Sequence, residues 1–157
     1  MDGFIEISRG LFNFLEVKYG YELIAIRDGD GCSYLMYSNK DVGIGFKLLY
    51  ELSSSFVFVL VYRLIEGEFR DNCLPISDDT EITCIDFNDT LMPEHKMRPA
   101  YEYGEESSYF DAEDGLRNYV EEFSSRLRLF GKNILIGDLS IFPEIEKIIK
   151  RRAKEFQ

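Results

Sequence analysis

Between Tyr21 and Arg63 the chain changes from one periodicity to another and stays there, in four strand-like runs separated only by turn-length connections. Tyr21 to Ile26 and Cys32 to Tyr37 are joined by Asp28-Gly29-Asp30-Gly31, residues that tolerate the positive φ of a tight hairpin. Val42, Ile44, Phe46, Leu48 and Tyr50 then alternate with Gly43, Gly45, Lys47 and Glu51, and Ser53 to Ser55 turn the chain into Phe56 to Arg63. A parallel pair needs a crossover of a dozen or more residues, so connections this short force antiparallel neighbours. Thr80 to Phe87 can supply a fifth strand.

Helical periodicity flanks this block on both sides. Residues 3 to 19 place Phe4, Ile7, Leu11, Phe14 and Leu15 on one stripe, with Asp2 available as N-cap and Gly20 as a stop. Asp111 or Asp114 can cap a second helix carrying Leu116, Tyr119, Val120, Phe123, Leu127 and Phe130, closed by Gly131. Asn133 to Gly137 reads as a short apolar strand or turn. A last helix starts near Phe142, with Pro143 in its first turn and Ile145, Ile148 and Ile149 facing inward. Residues 65 to 80 and 88 to 111 lack periodicity and hold Pro75, Pro93 and Pro99, which makes them loops. The expectation is a single α+β domain over residues 1 to 157: one antiparallel meander of four to five strands, covered by the N-terminal helix and two C-terminal helices. The run Phe56 to Tyr62 is apolar on both faces, so it is central and either covered twice or covered once and buried by a partner.

A chain of 157 residues buries roughly 70% of its extended surface on folding, and 45% hydrophobic residues supply a core for it despite a formal net charge of -11. That charge repels phosphate backbones and anionic lipid, which argues against nucleic-acid and membrane-surface binding. Lys147, Lys150, Arg151, Arg152 and Lys154 form the one basic cluster, where they complement the negative end of the last helix. The start, Met-Asp-Gly-Phe-Ile-Glu, is not a signal peptide, and the longest apolar run falls far short of the ~20 residues that span a bilayer. Cys32, Cys73 and Cys84 are odd in number and irregularly spaced, as reduced thiols are. A cytoplasmic location is expected.

Catalytic constellations are missing from the pattern. His95 is the lone histidine, in a Pro93-Glu94-His95-Lys96 loop, with neither a second histidine nor paired cysteines to build a zinc site. The Asp28 to Gly31 segment lacks calcium ligands where Cys32 and Asn39 stand. Gly43 and Gly45 lack the third glycine of a dinucleotide fingerprint; their missing side chains permit close approach by a packed neighbour. No cofactor or metal is expected, and no enzyme.

The charge is unevenly placed. Residues 66 to 114 hold 15 carboxylates against Arg70, Lys96 and Arg98, whereas residues 1 to 65 carry 8 acids and 6 bases. Within that block Tyr101, Tyr103, Tyr109 and Phe110 interleave with Glu102, Glu105, Glu106, Asp111, Glu113 and Asp114. Tyrosines bury large area at low entropic cost and carboxylates steer and pair with cations, so this segment reads as a docking surface for a basic protein. Solvated carboxylates beside aromatics tucked into the domain are the plainer reading of the same residues.

Four short stretches carry a family likeness: Tyr19-Gly20-Tyr21 ending the first helix, Val42-Gly43-Ile44-Gly45, Tyr62-Arg63-Leu64, and Gly137-Asp138-Leu139-Ser140 before the basic helix. In these the chain resembles a loosely defined group of small cytoplasmic bacterial proteins, many regarded as immunity proteins of polymorphic or contact-dependent inhibition toxin systems. The resemblance implies a binder that neutralises a basic toxin, often a nuclease, and supplies no catalytic residues. Two alternatives stand beside it. One is a small-molecule-binding or hydrolytic enzyme with a buried carboxylate near Gly43 and Gly45; the other is a homo-oligomeric subunit, a homodimer in its simplest form, whose apolar strand face is covered by a second copy.

Overall fold

A computed structural model describes residues 3 to 156. Five antiparallel strands run in sequence order across one sheet: β1 (Glu22–Asp28), β2 (Cys32–Asn39), β3 (Ile44–Glu51), β4 (Phe56–Arg63) and β5 (Cys84–Asp86). The expected meander forms, with every neighbour in the sheet a neighbour in the chain. Cross-strand rows such as Tyr37–Phe46–Val61–Ile85 and Leu35–Leu48–Val59 build one face, and all of these side chains are buried.

Helices cover that face. Preceding the sheet are α1 (Phe4–Leu11) and α2 (Phe14–Val17); following it are α3 (Gly115–Phe130), α4 (Lys132–Leu135) and α5 (Phe142–Glu155). Their buried residues, including Phe4, Phe12, Leu15, Tyr119, Val120, Leu127, Leu135 and Ile145, join the sheet residues in one hydrophobic cluster. Two side-chain bonds tie the ends of the chain together. Tyr21 donates its hydroxyl proton to the carbonyl of Leu135 at 2.9 Å, and Ser124 donates to the carbonyl of Leu11 at 2.7 Å.

The N-terminal helix differs from its expected form. It breaks at Phe12 and Asn13, where the Leu15 N–H turns to the Phe12 carbonyl and leaves that of Leu11 to Ser124. The break rotates Phe12, which lies off the straight-helix stripe, to full burial, while Leu11 and Phe14 become only half-buried. Burying an aromatic ring outweighs one helical hydrogen bond when the freed carbonyl finds another donor. Asp2, the expected N-cap, lies outside the described residues; Gly3 precedes the first turn.

Two further elements differ. Asn133 to Leu135 lie in the helical turn α4 rather than in a strand, and Ile136 and Gly137, the latter at φ 104°, form the turn that follows. The fifth strand is shorter than Thr80 to Phe87 because Asn72 acts as its outer partner. The Asn72 side-chain oxygen accepts from the N–H groups of Thr83 and Cys84 at 2.8 and 3.1 Å, and its amide donates to the Cys84 carbonyl at 2.8 Å.

Candidate functional site

The acidic segment begins with a 3-10 turn at Ala100–Tyr103 and continues through a second at Ser108–Phe110. Its aromatics divide into two roles. Tyr103 and Tyr109 are half-buried and meet edge to face at 5.0 Å, and Tyr109 meets Tyr119 of α3 in the same way at 5.1 Å. The Tyr103 hydroxyl accepts from the Arg98 N–H at 3.0 Å, and that of Tyr119 donates to the Arg98 carbonyl at 2.6 Å. Burial first, then the negative charge of Glu122, pushes the Tyr109 hydroxyl up to about 12. These two tyrosines anchor the segment.

Tyr101 and Phe110 point outward, 65% and 61% exposed. Glu102, Glu105, Glu106, Asp111, Glu113 and Asp114 are all exposed as well. Asp111 accepts from the N–H groups of Glu113 and Asp114 at 2.8 Å each, which holds its carboxyl below the usual range and turns the chain into α3. Its capping role falls one turn before the helix, and Asp114 makes no side-chain cap. Of the residues singled out in the sequence, Tyr103, Tyr109 and Asp111 serve the local structure, and Glu113 and Asp114 are exposed at the start of α3. Tyr101, Glu102, Glu105 and Glu106 present outward, joined by Phe110.

Several other acids of the block are spent within the molecule. Arg152 of α5 meets Asp89 with both guanidinium nitrogens at 2.9 and 2.8 Å, Lys154 reaches Asp78 at 2.9 Å, and Arg63 reaches Glu81 at 3.1 Å. Part of the basic cluster thus neutralises residues 78 to 89. Among the described residues Glu102, Glu105 and Glu106 have no ion-pair partner.

The second face of the sheet is a separate surface. Tyr34, Met36, Leu49, Phe58 and Leu60 are half-buried there and none joins the core cluster; Lys47 lies over the Tyr34 ring at 4.3 Å. At one end residues 66 to 72 fold over this face. Phe69 occupies the space that a side chain on Gly45 would need, so Gly45 does accept a close neighbour, and Tyr62 donates to Asp71 at 2.6 Å. Gly43 serves a different purpose, taking φ 76° in the β2–β3 turn with open space around it. Phe69 fills the space beside Gly45, whereas Gly43 stays open.

A carboxylate desolvated by burial does exist. Asp86 rises from an ordinary 3.8 to about 6, chiefly through burial, against the lowering effect of the Asn88 N–H it binds at 2.9 Å. It caps the 3-10 turn Phe87–Thr90. Burial also drives the Cys84 thiol up to about 12, which makes it inert; Cys32, Cys73 and Cys84 are all free. His95 stacks on Phe130 at 4.5 Å. Among the described residues no three His, Cys, Asp or Glu side chains gather as a metal would require, and no helix is long and apolar enough to cross a membrane. No protein-family model, curated protein or solved structure matches the chain.

Proposed function

We propose that this protein is an acidic protein-binding module that docks a basic protein partner and, in line with the resemblance in its sequence, neutralises a bacterial toxin as an immunity protein. The observation that carries the reading is the outward pair Tyr101 and Phe110 beside Glu102, Glu105 and Glu106, on a segment anchored by Tyr103, Tyr109 and Tyr119. A partner that covers both rings removes large apolar area from water, and the carboxylates raise its encounter rate. A preorganised loop keeps the entropic cost of docking low. A nuclease surface that holds phosphate is cationic and has the complementary sign. Action inside the cell that makes the toxin, and hence a cytoplasmic address, belongs to the same proposal.

The test is affinity for a basic toxin domain, taken from the gene directly upstream where that position encodes one. Tyr101→Ala and Phe110→Ala should each weaken binding by about 2 kcal/mol, as buried aromatic anchors do. Two substitutions within 0.3 kcal/mol of wild type would overturn the assignment of this surface.

The homo-oligomeric reading draws on the second sheet face. Its three long strands carry eight residues each. At ~4.8 Å between strands and ~3.4 Å per residue they present roughly 400 Å², about half of the ~800 Å² per partner in a stable complex. Self-association through this face therefore has to recruit the β1 edge, where Ile24 is exposed, against the repulsion of two chains at net charge -11. Light scattering should accordingly return the monomer mass, and a dimer that dissociates on Ile24→Lys would favour this reading instead.

A further inference from the structure

Beyond the acidic segment, and without resting on it, the sheet carries a second candidate site at its opposite end. A cavity of about 480 Å³ opens where the start of β1, the end of β2 and residues 67 to 69 meet. That volume lies within the range of ligand sites, roughly 300 to 1,000 Å³. One wall is a two-residue hairpin in which Ile65 and Glu68 exchange both backbone hydrogen bonds at 3.0 Å, with Glu66 at φ 54° and Gly67 at φ 81° across its tip. The wall is therefore held by backbone on both sides of the turn.

The lining has a definite chemistry. Glu22, Asp41 and Glu68 contribute three carboxylates against the single ammonium of Lys40. Among the described residues none of the three acids has an ion-pair partner. Ile24 and the half-buried Phe69 ring supply apolar surface beside them. Ser38, 5% exposed, borders the cavity, and its hydroxyl has no hydrogen-bond partner.

We propose that this cavity receives an arginine side chain presented by a polypeptide partner. The methylene stem packs on Ile24 and Phe69, the guanidinium meets the carboxylates of Glu22 and Glu68, and the aromatic ring adds cation–π attraction. Arginine fits better than lysine because its planar fork addresses two carboxylates at once.

The experiment is an amide NMR titration of the full chain with N-acetyl-arginine amide, and with the norleucine and glutamate analogues as controls. The expected result is saturable shifts at the amides of Gly20, Ser38 and Gly67 with the arginine probe alone, weakened by about tenfold or more in the E22Q/E68Q double variant. No saturable shift at those amides would overturn the proposal. So would equal shifts with norleucine, which would mark a merely apolar recess, or a preference for glutamate, which would mark an anion site at Lys40. The amides of residues 101 to 114 report separately in the same spectra, so failure of the acidic docking surface and failure of the arginine cavity are distinguishable.

Discussion

Asp86 shows how a single carboxylate sets a pH dependence in this protein. Its folded-state value lies above that of the unfolded chain, about 6 against 3.8. Between those values the folded state keeps a proton that the unfolded chain has released, so the residue's contribution to stability falls as pH rises through 4 to 6 and stays lowest above it. The full shift corresponds to about 3 kcal/mol; part of the residue still reaches solvent, which reduces the expected cost to about 1–2 kcal/mol. Asp86→Asn keeps an acceptor for the Asn88 N–H and removes the charge. Urea unfolding at pH 4 and pH 7 should show the variant gaining about 1–2 kcal/mol over wild type at pH 7 and little at pH 4. An unchanged difference across that range would place the proton elsewhere. Nothing in the sequence marks this residue among 29 acids, because burial of Asp86 depends on where residues 88 to 97 and α5 come to rest.

At the scale of elements, Gly115 links the first turn of α3 to the acidic segment. A methyl group there would overlap the Tyr109 carbonyl, which crosses directly over the helix start. Helix propensity favours alanine over glycine by up to about 1 kcal/mol, and overpacking costs typically 1–3 kcal/mol. Because the obstacle is backbone rather than a flexible side chain, overpacking should win. Gly115→Ala is expected to destabilise by about 1 kcal/mol or more and to speed amide exchange over residues 101 to 110, whereas a stabilised variant would show that the crossing is looser. Elements fixed by local pattern were legible in advance: the meander from its turn lengths, the Asp28 to Gly31 hairpin, and the close approach at Gly45. Those fixed by distant residues were not. The break at Phe12 depends on Ser124, the short β5 on Asn72, and the inward turn of Tyr103 and Tyr109 on Tyr119, and none of these partners is adjacent in the chain.

Over the whole molecule, some carboxylates of the acidic third are matched within the fold and others are not. Asp78, Glu81 and Asp89 are matched by Lys154, Arg63 and Arg152, while Glu102, Glu105 and Glu106 stay exposed. Sequence alone located the block but not this partition, which required the closing helix to fold back on residues 78 to 89. Nor could it show the cavity, whose walls come from three segments far apart in the chain. The proposed docking surface rests on the unmatched population, and association kinetics test it most directly. Reversing Glu102, Glu105 and Glu106 to lysine should slow association with a basic protein partner by about tenfold or more at low salt and flatten its salt dependence, with the dissociation rate changing less. Association rates that match wild type at every ionic strength would contradict the account.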